Sequence, residues 1–250
     1  INVGYYTEQE LFDQLADNKV RLILATRELR PAEEKYYRSL QARIKPKELA
    51  FNDQVVVLNP ENEVDSLDYE AIGRIVRGEV SDWSELGRSE PGGIEMLFGH
   101  AKSGTVRYIS ERFVAEGDSI KGKLYAADSY EDFVQKVSDR KNIIGFIGGA
   151  YVSNLEDEDL DSLRKKVKIP HLKATPGTDG EGRYVRPTQN ELALKTYPFT
   201  YTVWTLNREP AEGLGTGFVR YVAGERGQRI VLKAGLYPTF PPPRLIEFTD

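Results

Sequence analysis

The chain of 250 residues contains no cysteine, two histidines and one methionine. Without cysteine there is no disulfide framework, no thiolate nucleophile and no cysteine-ligated metal. Two histidines, His100 and His171, are too few for a histidine-rich metal centre. No metal and no cofactor is therefore expected. No apolar run approaches the length needed to span a bilayer. Positive charge is not in excess: 34 basic residues stand against 39 acidic ones, a net charge of −5. A broad basic face for nucleic acid is thus unexpected, although a local anion site can oppose the global sign. The first residues, "INVGYYTEQELFDQL", hold no signal peptide and read as a strand running into a helix. Ile1 accordingly reads as something other than the biological start.

What is present is globular. Charged residues make up 29% and hydrophobic ones 40%, a balance that supports a core rather than disorder. The length suits one large domain or two lobes. "VRLILA", Val20 to Ala25, is an apolar run that suits a buried parallel strand. In "TRELRPAEEKYYRSL", Pro31 marks a first helical turn. "LAFNDQVVVLNP" is a valine-rich strand stopped by Asn59-Pro60. In "SLDYEAIGRIV", Ser66 is the candidate cap, with Tyr69, Ile72, Ile75 and Val76 on the buried face. "GIEMLFG" is a strand, and "SYEDFVQKVSDRKNIIGFIGG" a helix followed by the strand Ile143 to Ile147.

Further on, "LEDEDLDSLRKK" reads as a charged connector and "KATPGTDGEGRYVRPTQN" as a long loop. "YPFTYTVWTLN" is a strand. Two helical segments broken near Gly224 and a proline-rich tail complete the chain. Strands alternating with helices predict α/β layers on a mostly parallel sheet.

The stretch "GHAKSGTVRYISERFV" has two readings. Val106, Ile109, Phe113 and Val114 give a helical stripe, and Ser103 or Thr105 can cap it. Alternatively, Ser103, Gly104 and Thr105 form an anion cradle, in which free N–H groups at the helix mouth face an oxyanion and Gly104 allows close approach.

Several stretches together resemble one family, the PstS-like phosphate-binding proteins of ABC importers, which are type II periplasmic binding proteins. "VRLILATRELRPAEE", "LAFNDQVVVLNPEN", "IGRIVRGEVSDWSELG", "SGTVRYISERFV", "NIIGFIGGAYV" and "FVRYVAGERGQRIVLKAGLYP" are similar to family segments and occur in the family's order. The resemblance implies two α/β lobes joined by two crossover strands and closing on an oxyanion, with no catalysis. It implies a ligand held by Ser103, Gly104 and Thr105 in the second lobe, and by Thr26 and Arg27 after the first lobe's strand. Arg27 has a plainer reading, a surface arginine pairing with Glu28 or Glu33.

The family's opening strand and its hydroxyl-rich loop have no counterpart here. Gly99 stands where the family often has an arginine, leaving Lys102 or His100 to supply charge. Asn52 stands where the family has the aspartate that accepts the proton of hydrogen phosphate, and Asp53 is expected on the opposite strand face. The lobes are expected at 1–53 plus 203–250 and at 54–202, hinged near Asn52–Leu58 and Tyr201–Leu206. The implied ligand is phosphate or a similar oxyanion, the implied partner a membrane ABC permease. The chain is expected to be a monomer, periplasmic or lipid-anchored at the cell surface. The alternative is a module of the same fold that has lost phosphate and binds another oxyanion or a protein. An enzyme using His100 as a base ranks last, for want of a nucleophile–base spacing.

Overall fold

In the computed structural model of the chain, residues 3–99, 104–153, 165–209 and 212–240 are described. They form two compact units, one of Ile1–Phe51 with Tyr201–Asp250, the other of Asn52–Thr200. Among the described residues no helix is long and apolar enough to cross a membrane. The charged connector falls mostly at 154–164 and the tail at 241–250, both outside the described residues.

Unit one begins with α1, Glu8–Ala16, and β1, Leu22–Ala25. A reciprocal cap starts α1: Thr7 Oγ1 accepts from the Glu10 N–H, and the Glu10 carboxylate accepts from the Thr7 N–H. α2, Pro31–Ser39, opens with proline at its first position. The first seven residues of β2, Lys45–Leu58, belong to this unit. So does all of β9, Thr200–Asn207, after its first residue. The helices α8, Leu214–Ala223, and α9, Glu225–Lys233, precede β10, Tyr237–Pro238. The strand order is β1-β9-β2, with β10 also on β2. Phe12 and Leu15 from α1, Tyr37 from α2, Ile23 and Ala25 from β1, and Leu206 from β9 form the core.

Two expectations fail here. β1 pairs antiparallel with β9, Leu22 opposite Asn207, and ends the sheet. Leu24 is 46% exposed. An apolar run of this length fits a buried parallel strand and a one-faced edge strand equally well, so sequence alone does not separate them. The opening residues 3–7 carry no strand, and Tyr5 is exposed.

The helix pair α8–α9 is held by two neighbouring residues. A Cβ on Gly227 would overlap Val222 Cα and lie 2.5 Å from the carbonyl oxygens of Tyr221 and Val222. Only glycine lets the helices approach this closely. Gln228 is wholly buried. Its amide donates to the Leu49 and Val222 carbonyls, and its oxygen accepts from the Phe240 N–H.

Unit two contains the rest of β2, then β3, Ser66–Leu67, α3, Tyr69–Val76, and a 3₁₀ turn, Trp83–Leu86. β4, Glu95–Phe98, α4, Gly104–Phe113, and β5, Lys123–Ala126, follow. Next come α5, Tyr130–Asp139, β6, Ile143–Gly148, and α6, Ala150–Ser153. β7, His171–Lys173, β8, Tyr184–Val185, and α7, Gln189–Ala193, complete the unit. The strand order is β2-β6-β4-β5, with a separate small sheet β3-β7-β8. β4 is parallel to both β5 and β6, whereas β2 runs antiparallel to β6. The protein is therefore mixed rather than mostly parallel.

Ser129 caps α5, accepting from the Asp132 N–H, and Phe133, Val134 and Val137 then fall on its buried face. They pack on Val55, Val57, Leu97, Ile143 and Ile147. α3 is capped by Asp68, which accepts from the Ala71 N–H at 2.6 Å, not by Ser66, which lies in β3. Asp68 immediately precedes the helical residues, so its carboxylate is the group that reaches the free amide. The expected loop around 173–190 carries β8 within it. The two ends of unit two meet: the Gln54 N–H donates to the Phe199 carbonyl at 3.1 Å.

Candidate functional site

Because β4, β5 and β6 are parallel, their C-terminal ends, Phe98, Ala126 and Gly148, lie along one rim of the unit-two sheet. The antiparallel β2 brings its Asn52–Gln54 end to the same rim, with Gln54 opposite Gly148. Ligands of open α/β sheets gather at such carboxyl ends.

α4 begins on this rim at Gly104. Its first N–H groups have no partner within the helix, and they carry the positive end of its dipole. Gly104 is exposed, and among the described residues a Cβ there would meet nothing within 4 Å. The helix mouth is thus open on that flank. Ser103, the hydroxyl expected before it, lies outside the described residues, as do His100 and Lys102.

Thr105 differs from expectation. It is 5% exposed, and its hydroxyl donates to Gln54 Oε1 at 2.9 Å. The proton expected to face an oxyanion is committed to β2, and Thr105 anchors the helix start to that strand. Its backbone N–H still belongs to the mouth. Asn52 sits two residues before Gln54, hence on the same strand face. The rim thereby gathers Asn52, Gly104 and Thr105. Arg107, further along α4, pairs with Glu111 at 2.7 Å.

Thr26 and Arg27 belong to unit one and are engaged within it. Thr26 Oγ1 donates to Glu8 Oε1 at 2.9 Å. Arg27 donates through Nε to Glu8 at 3.2 Å and through both terminal nitrogens to Glu33 at 2.8 and 2.9 Å. Its guanidinium also lies over the Phe12 ring, 3.8 Å from the centroid. Burial pulls its pKa down, but the Glu33 and Glu8 carboxylates more than offset this and hold it above the ordinary arginine value. Burial likewise pulls Glu33 up, yet the hydrogen bonds from Arg27 and the Arg30 N–H keep it below the usual carboxylate range. The plainer reading of Arg27, with Glu33 as partner, is what the structure contains; Glu8 is the second partner. The planar fork expected to hold an oxyanion is filled by carboxylates of its own unit.

Arg27→Ala strands two partly buried carboxylates. It is expected to cost about 2 kcal/mol of stability, read as a lower thermal midpoint, and to change phosphate affinity less than about twofold. A tenfold affinity loss with an unshifted midpoint would return Arg27 to the binding residues.

Two rim residues carry more weight than sequence reasoning gave them. Gln54 holds α4, and Asp53 is buried beside Gly149. The signal lay in "NDQVVVL", where three consecutive polar residues enter an apolar strand. At least one must then face inward, because side chains alternate between faces.

Two α/β units, exchanging chain at 51/52 and 200/201 and carrying a helix mouth on the strand ends of the second, define the fold of a periplasmic-type solute-binding protein. A family model described as PBP superfamily domain matches residues 4–226, and the chain belongs to that family. None of the curated proteins compared with the chain matches it. Among solved structures, an ABC-type phosphate transport receptor from Vibrio cholerae is similar at a TM-score of 0.71 and 18% identity, over 92% of this chain and 84% of that one. PstS from Borrelia burgdorferi is similar at 0.64 and 17%, over 91% and 82%. A human phosphate binding apolipoprotein is similar at 0.65 and 12%, over 93% and 83%. These likenesses establish the fold.

Proposed function

We propose that this protein is a non-catalytic solute-binding protein for a small oxyanion, phosphate first among them, which it delivers to the membrane permease of an ABC importer. The observation that carries the reading is the open mouth of α4 on the unit-two rim, where Gly104 leaves the first helical N–H groups approachable. The phosphate-binding descriptions of its structural neighbours support the choice of anion. Gly104, the N–H of Thr105 and the Ser103 hydroxyl act as donors, and Asn52 faces the ligand from β2. Thr26 and Arg27 stand outside this assignment. The protein works as a monomer, in the periplasm or lipid-anchored at the cell surface.

Calorimetric titration with phosphate is the direct test. A saturable isotherm with one anion per chain is expected, and a flat one at millimolar phosphate would end the reading. Selectivity gives a second measurement. Sulfate has no proton to donate at neutral pH, so a carboxylate facing the anion rejects it, whereas an amide tolerates both anions. Asn52→Asp is expected to raise the preference for phosphate over sulfate by about tenfold, the equivalent of one charge-assisted hydrogen bond. An unchanged ratio would remove Asn52 from the site.

A further inference from the structure

Asp53 is wholly buried at the head of unit two's share of β2. Neither of its carboxylate oxygens accepts a hydrogen bond from another described residue. Such a side chain is costly to hold charged, because it has lost water and gained no partner. Its surroundings leave it no escape. Gly149 presses on it so closely that a Cβ there would collide with the carboxylate, and the Gly149 N–H donates to the Asp53 carbonyl at 2.8 Å.

Among the described residues, the titratable groups on this side are phenols. Tyr197, from the segment before β9, is held well above its ordinary pKa by burial and then by the Asp53 charge, against a backbone hydrogen bond at Val56, with Tyr108 of α4 adding to the rise. Gly148 and Gly149 bring no charge, and among the described residues no cation is paired with Asp53. The next residue, Gln54, is the one that anchors the mouth of α4.

Resting on the oxyanion reading above, we propose that Asp53 is a proton-controlled gate on the oxyanion rim: neutral, it permits an anion at the mouth of α4; ionised, it opposes one. The opposition is electrostatic. A carboxylate one residue from the anchor of the helix mouth puts a like charge near an anion held there, in a medium less screening than water. By reciprocity, a bound anion must favour the protonated form of Asp53.

The position of the titration follows from burial, which pushes the Asp53 pKa from 3.8 up to about 7, with only its own backbone N–H acting the other way. Between those two values the folded chain keeps a proton that the unfolded chain has lost. Stability therefore falls as pH rises through that interval, by about tenfold in the folding equilibrium per pH unit. Above about 7 the penalty is fully present and constant, and below 3.8 it is absent.

Sulfate is the probe, since it carries no titrating proton between about pH 5.5 and 8.5 and Asn52 permits it. Calorimetry on the whole chain is expected to show sulfate binding about three- to tenfold weaker at the upper pH than at the lower. Asp53→Asn should bind equally at both. Without ligand, the unfolding midpoint of the unmodified protein should fall across the same range relative to that of the variant. Should Asp53→Asn fail to fold, proton uptake serves instead. Sulfate binding to the unmodified protein near pH 7, compared in buffers of different ionisation heat, should draw in a fraction of a proton. Sulfate bound with the same pH dependence by both proteins, or bound without proton uptake, overturns the gate alone. The lack of any isotherm with sulfate or phosphate at either pH overturns the oxyanion reading and the gate with it.

Discussion

Replacing Gly104 by leucine is expected to weaken phosphate binding ten- to a hundredfold, while leaving the thermal midpoint almost where it was. The two halves of the expectation come from one geometric fact: a Cβ at this position meets no described residue within 4 Å. Among the described residues there is room for a side chain. Gly104 is also the first residue of α4, where leucine is a better helix former by up to about 1 kcal/mol. Folding should therefore be neutral or slightly favoured. The space is empty for a different purpose if the helix mouth takes an anion. Cα–Cβ bonds on a helix tilt towards its N-terminus, so a leucine here projects over the free N–H groups. An oxyanion then loses close approach to at least one donor. A hydrogen bond to a charged group is worth about 1.5–3 kcal/mol, hence the expected factor. Phosphate titration and differential scanning calorimetry on the same preparation decide it. Unaltered affinity would mean that the open flank is merely solvent and that α4 holds no ligand.

The largest stability loss should come from Gly227→Ala. Here the single added carbon has no space, and the atoms in its way are backbone: Val222 Cα and the carbonyl oxygens of Tyr221 and Val222. Backbone cannot rotate aside as a side chain can, so α8 and α9 must separate. Separation pulls on Gln228, which holds the Leu49 and Val222 carbonyls and the Phe240 N–H. Overpacking alone costs about 1–3 kcal/mol, and strained or lost hydrogen bonds of a buried amide add about 1–3 more. For a chain of this size the sum corresponds to a midpoint lowered by roughly 5–15 °C. A midpoint within about a degree of the unmodified protein would show that the helices can part at little cost.

The local grammar of the chain was legible where a rule depends on neighbours in sequence. Pro31 opening α2, Ile72, Ile75 and Val76 on the buried face of α3 and the break at Gly224 all rest on caps, period and glycine, which act within a few residues. The order of the motifs pointed to the right fold because "LAFNDQVVVLNP" and the segments around it run in the family's order. Reading failed where the deciding partner is distant. Nothing near "VRLILA" says that its neighbour is Trp204 to Asn207, running the other way. For Arg27 the near partner Glu33 was legible, but Glu8, 19 residues earlier, was not. Thr105 looks like a ligand hydroxyl until Gln54, 51 residues away, takes its proton. Asp53 was expected to face away from Asn52, but the depth of its burial depends on Gly149 and Tyr197, and no spacing rule links the three.

The division of the chain also dictates an order of manufacture. Unit two is a single run, Asn52–Thr200, whereas unit one is assembled from two pieces that this run separates. On the ribosome the first 51 residues emerge with β1 lacking its neighbour, because β9 is nearly 180 residues away. Joining the two pieces across an unfolded run of this length costs about 4 kcal/mol in loop closure. Once unit two has folded, the hydrogen bond from Gln54 to Phe199 holds its ends together, and most of that cost disappears. The inserted unit thus acts as a clamp on the unit that contains it. Until Trp204 to Asn207 have been synthesised, Ile23, Leu24 and Ala25 lack the β9 partners they pair with in the folded chain.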